Sequence, residues 1–152
     1  MEWVVGVISD THGLLRSQAV KALRGSQLIL HAGDIGPGDI LRQLARIAPV
    51  RAVRGNVDKG EWAQALPLTD VIELGGLHIY ALHNLKALDL SPRAAGFAAV
   101  ISGHSHQPGQ VVRNGVLYFN PGSAGPKRFR LPVSVGKLFI SAGRIRGEIL
   151  IP

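Results

Sequence analysis

Two imidazoles two positions apart, His104 and His106, follow the apolar run Phe97 to Ser102 across Gly103. If the run is a buried strand continued as extended backbone, both rings point to one side of it. Two histidines aimed together suit a metal ion as well as they suit a pair of hydrogen-bonded strand-end side chains. The rest of the chain decides between these. Asp10 and His12 close the run Trp3 to Ser9, Asp34 closes Gln27 to His31, Asn56 closes Pro49 to Val53, and His83 closes Leu77 to Leu82. Taken singly, Asp-x-His, Gly-Asp and Gly-Asn are common turn patterns. Together they put seven potential ligands at strand ends, including four of the six histidines, where open α/β sheets bind their ligands. With no cysteine in the chain, Asp, Asn, Glu and His are the remaining donors, a mixture that suits manganese, iron, zinc or nickel. One ion that keeps positions open for water and substrate rarely takes more than three or four protein ligands. Seven therefore predict two divalent ions per chain sharing a carboxylate, manganese foremost.

The elements that must position these residues follow from pattern. Trp3 to Ser9 is a short β-branched apolar run of the kind buried on both faces. Ser17 to Leu23 has apolar residues at helical spacing with Gly25 as a stop. After the strand Gln27 to His31, Asp39 can cap a helix through Ile47, and Pro49 to Val53 is a third strand. Strands alternating with helices predict βαβ units and a mostly parallel sheet. Past Pro67, Gly75-Gly76 joins Thr69 to Leu74 with Leu77 to Leu82 as a hairpin. Leu85 to Gly96 is a loop or a short helix near Pro92. A second hairpin turns at Asn114-Gly115, and Val133 to Ser141 and Arg144 to Ile151 end the chain. The expectation is one domain over residues 1–152, parallel strands early and antiparallel strands late.

Composition narrows the class. At 46% apolar and 18% charged residues the chain is globular, and no run approaches the roughly 18 apolar residues of a membrane span. The start, Met1-Glu2-Trp3-Val4, lacks the positive flank of a secretory signal, so a cytoplasmic protein is expected, with a homo-oligomer as the general prior. The net charge of +7 favours anionic partners. Lys127, Arg128 and Arg130 cluster in Gly125 to Arg130; the cluster reads as a solvated basic loop or as a phosphate contact, with Arg128 the substrate-side candidate. Nucleic acid ranks last among the partners, because no aromatic RNP pattern or helix-turn-helix signal accompanies it.

In order along the chain stand Ser9-Asp10-Thr11-His12-Gly13, His31-Ala32-Gly33-Asp34, Gly55-Asn56-Val57-Asp58, His83, Gly103-His104-Ser105-His106 and Asn120-Pro121-Gly122-Ser123. This ordered set resembles the calcineurin-like metallophosphoesterases, in particular their small bacterial and archaeal phosphodiesterases, over nearly the whole chain. The resemblance implies two packed mixed β-sheets flanked by helices, an α-β-β-α sandwich. It also implies that Asp10, His12, Asp34 and His106 hold one metal, and that Asp34, Asn56, His83 and His104 hold the other, with Asp34 as the bridge. The implied reaction is hydrolysis of a small anionic phosphoester, a diester in preference to a monoester, by metal-activated hydroxide. Asn56 would also touch a phosphate oxygen. His31 looks like a supporting residue, and His78 a structural one.

Two positions depart from that pattern. Many relatives have histidine where this chain has Val57, and the phosphodiesterases often have a second histidine where this chain has Leu85. Neither side chain can move a proton to a leaving group. Asp58 is a candidate for orienting water or a histidine, or for capping the turn before Lys59-Gly60. The same fold resembles the small subunit of the retromer coat, so the alternative function is a non-catalytic, protein-binding scaffold. A scaffold has no need to keep all seven ligands.

Overall fold

The structure, a computed structural model, describes residues 2–37 and 39–152. Its first sheet grows from β1 (Glu2–Ile8), which pairs in parallel with β2 (Leu28–His31), and β2 in parallel with β3 (Val50–Ala52). Alternation along β1 sends Val5 and Val7 into one core and Ile8 into another, so both faces of the strand are buried. The crossovers are helical. Helix α1 (Ser17–Leu23) has the bounds its sequence predicts and lays Ala19 and Leu23 against Ile8 and Ile29. Helix α2 (Ile40–Leu44) is shorter than the predicted span to Ile47. Asp39 stands at its N-terminus without capping it; its carboxylate lies 3.3 Å from Arg42. The turn ends early because Arg46 and Ile47 donate their N–H groups three residues back, to Gln43 and Leu44.

After a one-turn helix not expected from the sequence, α3 (Glu61–Gln64), the chain enters the second sheet. Here β4 (Thr69–Leu74) and β5 (Leu77–Leu82) form the hairpin expected at Gly75-Gly76. A 3-10 turn at Leu85–Ala87 and the short α4 (Pro92–Ala95) lead to β6 (Phe97–Ile101), then β7 (Gly109–Arg113) and β8 (Val116–Asn120). The chain returns to the first sheet as β9 (Val135–Ser141), antiparallel to β1, with β10 (Arg144–Leu150) beyond it. The orders are β10-β9-β1-β2-β3 and β4-β5-β6-β8-β7.

The expectation of antiparallel strands late in the chain needs correction, since β5 with β6 and β6 with β8 run parallel. The crossover through α4 and the outward excursion of β7 return the chain in the same direction. Each sheet thus has three adjacent parallel strands, β1-β2-β3 along one side of the first and β5-β6-β8 at the centre of the second, and their carboxyl ends carry the motif residues. Between the sheets, Val7, Leu30 and Leu138 meet Ile79, Ile101 and Phe119 in one buried cluster. Burial of each such large side chain stabilises the fold by about 1.5–3 kcal/mol. The sandwich is the predicted one: two mixed five-stranded sheets, α1 and α2 covering the first, and short elements around Leu88 and Pro92 covering the second. Among the described residues, no helix is long and apolar enough to cross a membrane.

Candidate metal centre

Beyond the ends of β1, β2 and β6 the backbone abandons extended geometry. Asp10, His12, Asp34, His104 and His106 all have φ between 47° and 69°, a left-handed conformation that non-glycine residues adopt rarely, aspartate and histidine more readily than most. Among the described residues these five stand beside only three other non-glycine residues with positive φ, namely Asn114, Phe129 and Ala142. Left-handed residues of this kind cluster where a site needs side chains turned inward. They also correct the extended reading of His104 and His106. The left-handed bends send the two rings to different neighbours, His106 to Asp10 and His12, and His104 to Asp34 and His83.

Each carboxylate is held by one oxygen and presents the other. Asp10 Oδ2 accepts from Ser9 Oγ at 2.7 Å and from the His104 N–H at 3.0 Å. That close approach needs Gly103, where a Cβ would stand 2.7 Å from Asp10 Oδ2 and collide with Ser9 Oγ. Asp10 Oδ1 is left buried without a hydrogen bond, 3.4 Å from His106 Nε2, 3.8 Å from His12 Nε2 and 3.9 Å from His83 Nε2. Asp34 repeats the arrangement. Its Oδ1 accepts from the Val57 N–H at 3.0 Å, and its Oδ2 lies 3.1 Å from His83 Nε2 and 3.8 Å from His12 Nε2.

The histidines are oriented by their other nitrogens. His83 Nδ1 lies 2.8 Å from the Ala32 carbonyl. A carbonyl can only accept, so Nδ1 carries the proton and neutral His83 aims the Nε2 lone pair at the carboxylates. His31 works behind this layer. The Gly33 N–H donates to its Nδ1 at 3.1 Å, which puts the ring proton on Nε2, 3.0 Å from Thr11 Oγ1; that hydroxyl donates to the Ile35 carbonyl at 2.7 Å. Fully buried and tied at both nitrogens, His31 supports the loops after β1 and β2, as expected, and burial pushes its pKa down to about 3.

A cation suits this donor set. Asp10 Oδ1, His12 Nε2 and His83 Nε2 converge, are buried and lack hydrogen-bond partners among the described residues, a condition that costs about 1–3 kcal/mol per group when nothing fills it. The ligand atoms form two groups, Asp10 with His12 and His106, and Asp34 with His83 and His104, each with its atoms within 4.8 Å of one another. Without a cation, burial raises the Asp10 carboxyl above its ordinary value. Burial also opposes the proton on His83, but Asp34, the Ala32 carbonyl and Asp10 outweigh it and raise that pKa. His106 is lowered by burial, with Arg128 and His12 adding to the effect against Asp10.

The remaining candidates fall in distinct places. Asn56 is exposed on the turn after β3 and lines a cavity with His83 and His104. Arg128 is exposed, and its charge bears on His106. Asp58 is buried, and its carboxylate goes to backbone: Oδ1 accepts from the N–H groups of Ile35 and Gly36 at 2.9 and 3.1 Å, and Oδ2 from Gly55 at 2.9 Å. Its turn-holding role is thus the one on display, joined to the loop that bears Asp34, with no histidine or water-facing oxygen needed to account for it. His78 pairs across the hairpin with Glu73 at 3.5 Å, away from the site.

Sequence reasoning assigned no role to three residues. Asn120 donates to the Gly103 carbonyl at 2.9 Å and to Ser105 Oγ at 3.2 Å, bracing the loop of His104 and His106. Ser123 Oγ donates to the Asp10 carbonyl at 3.0 Å. Both lie in a motif visible in the sequence at the end of β8. Arg54 joins Asn56 in lining the cavity beside His83 and has a buried Nε without a partner; its place next to Gly55-Asn56 was the available signal.

Comparison with known proteins agrees with this geometry. Over 97% of its length the chain is 33% identical to a "Probable metallophosphoesterase" of Methanothermobacter thermautotrophicus, covering 91% of that protein. It superposes on a structure described as a novel archaeal phosphodiesterase with a TM-score of 0.80 at 21% identity, covering 97% of this chain and 99% of that one. It superposes also on Entamoeba histolytica Vps29 complexed with zinc, with a TM-score of 0.72 at 22% identity over 97% and 98% of the two chains. Residues 4–143 match the family described as the calcineurin-like phosphoesterase superfamily domain, and with the curated relative this shows that the chain belongs to that superfamily.

Proposed function

We propose that the chain is a dinuclear metal-dependent phosphodiesterase. The observation that supports it most is the position of Asp34 Oδ2, 3.1 Å from His83 Nε2 in one ligand group and 3.8 Å from His12 Nε2 in the other. One carboxylate oxygen within reach of both groups is what a shared ligand requires. Asp10, His12, Asp34 and His106 would hold one ion, and Asp34, Asn56, His83 and His104 the second, with manganese the first choice and iron, zinc or nickel the alternatives for such donors. Bound metals supply an acidified water and a clamp on phosphate oxygens. The chain supplies the rest: Ser9 and the His104 N–H keep Asp10 Oδ1 turned inward, Asp58 holds the Asn56 turn against the Asp34 loop, and Asn56 and Arg128 offer an amide and a positive charge to the phosphate.

The test is metal content and turnover of metal-depleted protein re-loaded with manganese, against bis(4-nitrophenyl) phosphate and 4-nitrophenyl phosphate. Two ions per chain and preference for the diester are expected; saturation at one ion or fewer overturns the dinuclear assignment. Asp34→Asn should lose both ions, and loss of both from His106→Ala as well would refute the bridge.

The Vps29 neighbour favours a second reading, a non-catalytic scaffold. Because one Vps29 is seen with zinc, retained ligands do not by themselves separate the readings. Turnover does: stoichiometric metal with no cleavage of any phosphoester would establish the scaffold.

A further inference from the structure

Two cavities of about 670 Å³ each open beside the ligand atoms, one on either side of Asn84 and His104, the two residues they have in common. The first is walled by Lys86, Gln110, Val111, Arg113 and Tyr118. The Arg113 guanidinium carbon lies over the Tyr118 ring, 5.8 Å from its centre, so this chamber offers a planar cation backed by an aromatic ring. The second is walled by Arg54, Leu68, Tyr80, Leu82 and Asp89. There the Arg54 guanidinium, whose buried Nε has no hydrogen-bond partner among the described residues, lines the wall together with the exposed apolar Leu68. Either volume lies in the range that encloses a drug-sized molecule. A phosphate bound beside His104 would stand where the chambers meet, since that ligand residue lines both.

We infer that the substrate is a linear phosphodiester with a sizeable group on each side of the phosphorus, one seated in each chamber, as in a dinucleoside-type ester. This rests on the phosphodiesterase reading above and goes further than it. A monoester, or a diester whose second group is a methyl, would leave one chamber filled with water. A cyclic diester has both ester oxygens on one nucleoside and fills one chamber as well. The first chamber suits a planar group, which can stack on the Arg113 guanidinium over Tyr118, and the second a group with an apolar face and an acceptor for the Arg54 guanidinium. In the reaction, water adds to phosphorus as one P–O ester bond breaks, and the departing alkoxide takes up a proton to leave as an alcohol. The phosphomonoester product retains one group and so loses the contacts of one chamber.

The experiment compares kcat/KM for three nitrophenyl diesters, whose second ester group is methyl, phenyl or thymidine-5′. The last should exceed the methyl ester by roughly tenfold or more, the factor that about 1.4 kcal/mol of additional binding gives. Val111→Trp in the first chamber and Leu68→Trp in the second lie away from the ligand atoms, and both positions are partly exposed, at 45% and 62%. Each should raise KM for the thymidine ester, and only the one in the chamber that takes the nitrophenyl group should raise KM for the methyl ester as well. Equal kcat/KM for the methyl and thymidine esters, or two wall variants that each slow both esters alike, would overturn the two-chamber inference with the phosphodiesterase reading intact. Failure of metal-dependent turnover on every diester would overturn that reading and the inference with it.

Discussion

Ser9 Oγ donates to Asp10 Oδ2 at 2.7 Å, and this bond together with the His104 N–H leaves only Oδ1 free to face the histidines. The serine is fully buried and outside both ligand groups, yet it fixes which carboxylate oxygen is offered. Ser9→Ala should therefore weaken manganese binding by about 10- to 100-fold, the usual cost of losing a partner behind a ligand. The Tm of the metal-free protein should change far less. Metal titration of both proteins measures this, and an unchanged affinity would mean that the His104 N–H orients Asp10 unaided.

Asp58 calls for the opposite signature. Its carboxylate satisfies three buried N–H groups, those of Ile35, Gly36 and Gly55. Removing it in Asp58→Ala strands donors that cost about 1–3 kcal/mol each, so a loss of about 3 kcal/mol or more is expected in the metal-free protein by denaturant unfolding. Asn56 would lose its position along with the loop. If Asp58 instead acted on water or a histidine, Asp58→Ala would lower kcat while leaving metal-free stability within error.

How far the sequence reveals this centre depends on the kind of information involved. Ligand types and their places after strands are local facts, so Asp10, Asp34, His83 and the hairpin at Gly75-Gly76 could be read directly. The direction of a side chain after a strand end is not local. His104 and His106 look like an extended i, i+2 pair, but both adopt left-handed φ, and the reason lies in Asp10, whose Oδ2 accepts the His104 N–H from 94 residues away. Strand direction in the second sheet was hidden for the same reason, since it depends on where the short α4 crossover returns the chain. Asp58 could be narrowed to turn or catalyst by pattern, but its three amide donors come from two loops that only the fold brings together.

His31 gives a pH dependence whose sign is fixed. Burial holds its folded pKa at about 3, below the ordinary histidine value of 6.5, so the unfolded chain binds the proton more readily. Stability from this group is full above pH 6.5 and falls as pH drops toward 3. At pH 5 the loss is about 2 kcal/mol, from about 1.4 kcal/mol per unit. In His31→Asn the amide oxygen can still accept from the Gly33 N–H, but no ring remains to be protonated. The metal-free variant should start less stable at pH 7.5 and then lose less by pH 5, the difference amounting to roughly 4–8 °C in Tm for a chain of this size. Parallel declines in the two proteins would place the acid sensitivity elsewhere.

The exposed turn after β3 bears on leaving groups. Val57 is held beside the site by its own N–H, which donates to Asp34 Oδ1 at 3.0 Å, while its side chain is 45% exposed. Leu85 lines the neighbouring cavity. Neither can protonate a departing oxygen, and a positioned general acid contributes about 10²- to 10⁴-fold. Nitrophenolate departs without such help; an alkoxide does not. The wild type should therefore cleave a nitrophenyl diester well and a dialkyl diester much more slowly. Val57→His puts an imidazole at a backbone position already tied to Asp34, and it should narrow that gap by no more than about 10²-fold, the lower end of the same range, because nothing nearby is arranged to orient the ring. The measured quantity is the ratio of turnover on the two esters in each protein. A wild-type ratio near one would mean that another group in the site donates the proton.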